Sequence, residues 1–298
     1  MIGERSTLNI IGAGKVGRSC GRLWAKAGVF EIQDVLNRSP ETALAAARFM
    51  GAGRAAAALN EMRAADVWMI ATPDDAIAAA CGALAVSDKL VRGNVVFHVS
   101  GATPSSDLRA ARELGAWTAS VHPIKTFGDA EGAARTFDGT YCSAEGDDEA
   151  LQLLKPAFER IGARLFEIAP ELKGVYHAGG VFACNYLAAL IEAALRCHEH
   201  AGVSRAVSLK ALEPMVYETV AAIFERGPAR ALSGPVTRGD AATIRRQLAM
   251  VEHWDGPLGE LYRGLGLIAV SLAEADGRLD ATRAAELRHV FARAASHE

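Results

Sequence analysis

The sequence predicts an α/β fold in which a doubly wound, mainly parallel sheet is followed by an all-α second half. Three observations carry this. Short β-type runs alternate with Ala-rich helical runs through the first half, a pattern that builds a parallel sheet with helices on both faces. After Pro170 no strand pattern recurs, and apolar residues fall at helical spacing instead. The 298 residues are about twice an ordinary domain, which fits two domains, 1–169 and 170–298.

Strands are expected at Leu8–Ile11, Ile32–Leu36, Val67–Ala71, Val95–Val99, Trp117–Val121, Gly139–Ser143 and Arg164–Ile168. Helical patterns fill most of the gaps, at Gly17–Ala27, Pro40–Met50, Asp74–Cys81, Ser105–Leu114 and Asp148–Ile161. In the second half, helices are expected at Glu171–Ala201, Arg205–Arg226, Ala241–Val251, Leu258–Ala275 and Ala281–Ala294. Gly202 offers a stop and Ser204 a cap for the next helix, while Pro214 should kink or split it. The longest apolar stretch, Ala178–Leu195, is broken by Asn185 and Glu192, so it reads as a buried core helix and not a membrane span.

Composition narrows the class. Half the residues are hydrophobic, enough for a large core, and a net charge of −3 gives no general attraction to nucleic acid or acidic membranes. The five cysteines are scattered without metal-like spacing, so no metal site is expected and reduced thiols fit a cytoplasmic protein. The N-terminus passes through a polar stretch into the first strand, so no signal peptide is expected.

The clearest motif is Gly12-Ala13-Gly14-Lys15-Val16-Gly17, a G-x-G-x-x-G run that follows a strand and opens a helix. The first glycine makes the tight turn, the second admits a pyrophosphate, and the third lets helix and strand pack closely. The positive helix end then holds the diphosphate, which makes the first half a Rossmann-type dinucleotide domain. The second strand ends in Asn37-Arg38-Ser39, where an NAD-binding sequence would carry an acid for the ribose hydroxyls. Arg38 can grip a 2′-phosphate and Ser39 can donate to it, so NADP(H) is the expected cofactor. Asp34 lies too early in the strand for the ribose. Thr72 and Pro73, after the strand 67–71, are expected beside the nicotinamide ribose, with Asp74 capping the next helix.

Two further strand ends are polar. Ser100, in Ser100-Gly101-Ala102, and His122, in His122-Pro123, should emerge on the cofactor side; His98 lies within its strand and Lys125 in a loop. Polar residues then lead into the apolar helix at Lys173-Gly174-Val175-Tyr176-His177, with Asn185 two turns on. At about 100° per residue, Lys173 and His177 differ by about 40° and share a helix face. A lysine over a nicotinamide can protonate the atom beside the one that receives hydride, and His177 can orient the substrate or share that proton. Solvated polar groups at a helix start are the plainer reading. Ser233–Asp240 is a polar Gly/Pro turn in which Asp240 caps Ala241 onward and Arg238 is a candidate anion contact.

The whole chain resembles a family of NADP oxidoreductases in which a Rossmann-like domain precedes a helical domain of unknown function. The resemblance rests on Gly12–Gly17, Ser100-Gly101-Ala102, His122-Pro123, the Lys173–Asn185 segment and Ser233–Asp240. More distantly it is similar to β-hydroxyacid dehydrogenases, ketopantoate reductases and pyrroline-carboxylate reductases. That similarity implies hydride transfer at a C–O or C–N centre and a homodimer joined through the helical domain. It also implies a catalytic lysine at the start of the long interdomain helix, which maps onto Lys173. Where those enzymes commonly carry asparagine one turn later, this chain has His177. His122-Pro123 is similar to prephenate dehydrogenases, although the lysine is not.

The expectation is therefore a cytoplasmic NADP(H)-dependent oxidoreductase acting on a small carbonyl/alcohol or imine/amine substrate held between the domains. Lys173 is the acid/base, with His122, His177, Ser100 and Asn185 around the substrate. The alternative is a non-catalytic NADP(H) sensor whose helical domain binds a partner.

Overall fold

The architecture comes from a computed structural model, which describes residues 6–292. The chain divides into two compact units, Met1–Ala183 and Cys184–Glu298.

The first unit is built on eight strands: β1 (Thr7–Ile11), β2 (Glu31–Leu36), β3 (Arg54–Ala56), β4 (Val67–Ile70), β5 (Val95–His98), β6 (Trp117–Pro123), β7 (Tyr141–Gly146) and β8 (Arg164–Glu167). They lie in the order β3-β2-β1-β4-β5-β6-β7-β8, and every neighbouring pair is parallel except β6 and β7. The strand order reverses beside β1, which opens a crevice where β1 and β4 end. The first six helices are α1 (Lys15–Ala27), α2 (Pro40–Met50), α3 (Ile77–Ala85), α4 (Arg109–Glu113), α5 (Ala130–Arg135) and α6 (Asp148–Glu159).

Apolar side chains cover both faces of the sheet. One core joins Leu8, Ile10, Val35, Phe97, Val121 and Ala144 to residues of α1, α2 and α6. The other joins Ile11, Trp68, Ile70 and Val96 to α3 and α4. Where β5, β6 and β7 meet, the alternate positions His98, Ser120 and Glu145 are polar and buried. After β8, a turn at Pro170–Leu172 leads into α7 (Lys173–Gly180).

Several expectations shift. β3 has only three residues, Arg-Ala-Ala, inside an Ala-rich stretch without β-branched side chains, so it gave no strand signal. The short α5 has six residues with a glycine among them, too brief for a helical period to show. The helices expected from Asp74 and Ser105 each begin as a 3₁₀ turn, Asp74–Ala76 and Ser105–Leu108. The change to all-helical structure does fall near Pro170, but α7 goes with the sheet unit.

The second unit holds α8 (Tyr186–His200), α9 (Arg205–Arg226), α10 (Pro228–Ala231), α11 (Ala241–Trp254), α12 (Gly256–Ala275) and α13 (Ala281–Phe291). The expected caps form: Ser204 Oγ accepts from Val207 N, and Asp240 Oδ1 from Thr243 N at 3.0 Å. Pro214 does not split α9, which runs as one helix of 22 residues. The unit's core lies among α11, α12 and α13, centred on Ile244, Leu248, Val270, Leu287 and Phe291. The buried core helix read from Ala178–Leu195 is not found. A π-helical turn at Val181–Asn185 interrupts it, and α8 buries only Leu195. Pro170–His200 is long and apolar enough, by length and composition, to cross a membrane. Its first turn is nonetheless tied to the sheet by Lys173. Most of its apolar side chains are exposed or only half-buried among the described residues, and periodicity alone does not tell what covers an apolar face.

Candidate functional site

The glycine turn follows β1 directly. Gly12 has φ +84°, and a Cβ there would lie 2.7 Å from the Thr72 backbone nitrogen, so only glycine fits. A Cβ on Gly14 would meet nothing closer than 4.0 Å, which leaves the approach to the turn open. Gly17 packs against Ala71, where a Cβ would sit 3.0 Å from the alanine methyl. The amides of Ala13 and Gly14 are spent inside the turn, donating to Asn37 Oδ1 and the Gly12 carbonyl at 2.7 Å each. No side chain caps α1, so the amides of Lys15, Val16 and Gly17 form an uncapped positive end, the arrangement that receives a phosphate.

At the tip of β2, Asn37 thus braces the glycine turn. Arg38 is exposed and makes no ion pair among the described residues. Ser39 caps α2 by accepting from Thr42 N. Asp34 faces away from this edge: it is fully buried and paired with Arg54 at 2.9 Å and Arg63 at 3.0 Å.

The ends of β4, β5 and β6 continue the same edge. The Thr72 hydroxyl is buried beside Gly12 without a hydrogen-bond partner among the described residues, and Pro73 beside it is exposed. An orphaned buried hydroxyl next to an open glycine turn fits a bound polar group. Asp74 caps nothing; it begins a 3₁₀ turn whose cap position is Pro73. Ser100 is buried, and its Oγ accepts from the amides of Ala102 and Thr103 at 3.2 and 3.0 Å, so the hydroxyl shapes this loop. His98 is a sheet residue, held between Pro104 O and Ser100 N. Lys125 donates to Thr136 O and stays in its loop.

Gly101 sits beneath two imidazoles. A Cβ there would be 2.5 Å from His177 Nδ1 and 2.8 Å from His122 Nε2. The two rings lie 5.8 Å apart, centre to centre, and Tyr176 stands 6.4 Å from His122. His122 Nδ1 is buried without a hydrogen-bond partner among the described residues. Burial, then the nearby His177 and Lys173, push the His122 pKa down to about 4, so the ring is neutral at physiological pH.

Lys173 is fully buried, so the plainer reading of a solvated lysine does not hold. Its ammonium donates to Ser120 Oγ and, at 3.0 Å, to Glu145 Oε1. Burial lowers its pKa, opposed by Glu145. It and His177 share a helix face as the spacing required, with Lys173 turned into the sheet and His177 toward Gly101. Glu145 and Ser120 are the residues that sequence reasoning missed. Their signal, polar residues at inward positions of apolar strands, emerges only once the register of β6 and β7 is known.

Asn185 and Arg238 belong to the second unit, where both are exposed. Among the described residues no group of three or more His, Cys, Asp or Glu side chains is placed to hold a metal.

Residues 2–123 match the Rossmann-like domain, and residues 140–268 match a domain of unknown function, DUF2520. The chain joins a Rossmann-like domain to a DUF2520 domain. Ser120 and His122 fall in the first match, Glu145 and Lys173 in the second, so the cluster is assembled from both. No curated protein matches the chain. Among solved structures, it is similar to a protein from Thermotoga maritima at 25% identity, covering 91% of this chain and 100% of that one, with a TM-score of 0.73. A candidate NADP oxidoreductase from Bacteroides fragilis is 20% identical over 90% of this chain and 98% of its own, with a TM-score of 0.67. Pyrroline carboxylate reductase from Plasmodium falciparum, with NADP bound, is 13% identical over 97% and 99%, with a TM-score of 0.54. At those last two identities the likeness is one of fold.

Proposed function

We propose that the protein is an NADP(H)-dependent oxidoreductase that moves a hydride to or from a small carbonyl/alcohol or imine/amine compound. One observation carries the reading: the glycine turn, Thr72, Gly101 and His122 gather at the carboxyl edge of a single run of parallel strands, where α/β folds take their ligands. The likeness in fold to a reductase with NADP bound supports it.

The uncapped end of α1 receives the diphosphate, Arg38 the 2′-phosphate, and Thr72 and Pro73 the nicotinamide ribose. When bound, NADPH supplies a hydride to the carbon of a C=O or C=N group. Lys173 gives the accompanying proton to the oxygen or nitrogen and takes up another after the product has left and the site has opened to water. Its ammonium has three N–H groups, of which Ser120 and Glu145 engage two, leaving one for an acceptor. The downward pull of burial brings the amine closer to the range where it exchanges protons at neutral pH. His122 and His177 orient the polar atom of the substrate, and Ser100 fixes the loop that carries Gly101.

The test is a panel of small oxo acids, aldehydes and cyclic imines, followed by loss of NADPH absorbance. Turnover of one class, reduced on the order of 10²- to 10⁴-fold in Lys173→Ala, is expected. Tight NADPH binding with no turnover of any class would favour a nucleotide sensor instead.

We also propose that the helical unit joins two copies of the chain. Helix α9 buries only Ser208 and exposes Val207, Leu209, Met215, Tyr217 and Phe224, the last at 87%. A helix apolar on several sides is stable in water only when covered, and a second copy supplies a matching surface. Light scattering should give twice the chain mass, and Phe224→Glu should give the monomer. A wild-type monomer would contradict this.

A further inference from the structure

We infer that Glu145 is the positioning residue that holds Lys173 in its charged form, the state from which the lysine can give a proton. The inference rests on the acid/base reading of Lys173 above.

Strand register creates the pairing. β7 is antiparallel to β6 and sets Glu145 directly opposite Ser120. Opposed residues share a sheet face, so the carboxylate and the hydroxyl stand side by side. The first residue of α7 then brings Lys173 onto both. The Lys173 and Glu145 side chains are 1% and 0% exposed, so water does not screen the pair.

Among the described residues, each hydrogen bond of the Glu145 carboxylate is one that it accepts. Ser105 N and Lys173 Nζ reach Oε1 at 2.9 and 3.0 Å, and Ser105 Oγ reaches Oε2 at 2.6 Å. This is the pattern a carboxylate accepts. The Ser105 bonds fix the carboxyl group from the β5 side, independently of the lysine.

The other charged or titratable groups around Lys173 do less for its charge. Asp74, after β4, adds a smaller attraction than Glu145 from an exposed position and makes no hydrogen bond to the lysine among the described residues. His98 on β5 and His122 on β6 are both held near pKa 4, first by burial, with Lys173 adding to the effect. His177, on α7 itself, packs against His122. The Ser120 hydroxyl accepts an N–H but brings no charge. A buried ammonium without a counter-ion gives up its proton instead of remaining charged, so the charge of Lys173 depends on Glu145.

The test uses the full-length protein labelled with ¹⁵N-lysine, following the Lys173 Nζ resonance against pH and assigning it by its loss in Lys173→Met. In wild type the midpoint should lie below the usual lysine value. In Glu145→Gln, which keeps the shape and the contacts to Ser105, it should fall by at least about one further unit. A folded Glu145→Gln with an unmoved midpoint overturns the inference. If Glu145→Gln does not fold, the double variant Glu145→Gln/Lys173→Met decides. A folded double variant shows that charge pairing was the requirement, whereas failure of both shows that Glu145 serves something else. In turnover, the alkaline limb of the pH–rate profile should move down with the Nζ midpoint; a slower rate with an unmoved limb marks a merely structural role and counts against the inference. Unchanged turnover in Lys173→Met, with the Nζ shift present, would sink the acid/base reading and leave the pairing intact.

Discussion

An acid on β2 can serve either a bound ribose or the fold, and Asp34 is placed to serve the fold. Its carboxylate is fully buried and accepts from Arg54 Nε at 2.9 Å, Arg63 Nε at 3.1 Å and the Arg63 amide at 2.7 Å. Burial alone would raise its pKa; the bonds from Arg63 and then Arg54 outweigh burial and bring it from 3.8 down to about 2. A carboxyl with a depressed folded pKa binds a proton less readily when folded. Its stabilisation is therefore complete above the unfolded value and is lost as pH falls through the folded one. A gap of nearly two units corresponds to about 2 kcal/mol. The perturbation is Asp34→Asn, compared with wild type by denaturant unfolding at neutral pH and at about pH 3. Both arginines are half-exposed and can rehydrate, so the cost at neutral pH should stay near about 2 kcal/mol and not reach the larger loss of a fully enclosed pair. The gap should narrow on acidification, and the preference between NADPH and NADH should not change. Equal stability at neutral pH, or a switch in nucleotide preference, would refute the assignment.

Three more outcomes follow from the geometry. Gly101→Ala forces a methyl between His122 and His177 and should cost about 1–3 kcal/mol, with the ring resonances of both histidines moving together in NMR spectra; unmoved rings would show that they do not converge there. His122 should titrate near pH 4, so its contribution to stability is present above pH 6.5 and lost as pH falls toward 4; a ring-proton midpoint near 6.5 would contradict its enclosure. Gly12→Ala should leave the melting curve cooperative while abolishing NADPH binding, because its Cβ meets the Thr72 backbone, which cannot yield as a side chain can; retained affinity would count against the turn as the phosphate site.

The Rossmann-like half was legible because its signals are local. Gly12–Gly17 announces its own turn, and Leu8–Ile11 before it announces the strand. Position alone sets Asp34 aside from the ribose, but its arginine partners, 20 and 29 residues away, are invisible in the sequence. Lys173 and His177 were legible as a pair because helical spacing fixes their shared face. Glu145 was not, since its meaning depends on an antiparallel strand returning in one register among several. The exposure of α8 was misread for a related reason: periodicity tells which face is apolar but not what covers it.

On the proposed function, this edge of the sheet holds a phosphorylated dinucleotide and Arg38 reads the extra phosphate. Calorimetric titration of the wild type and Arg38→Ala with NADPH and NADH tests it most directly. A charge-assisted contact of about 1.5–3 kcal/mol predicts that the wild type prefers NADPH by roughly 10- to 100-fold and that Arg38→Ala loses most of that preference while still binding NADH. Equal affinity of the wild type for both nucleotides, or an undiminished preference in the variant, would contradict it.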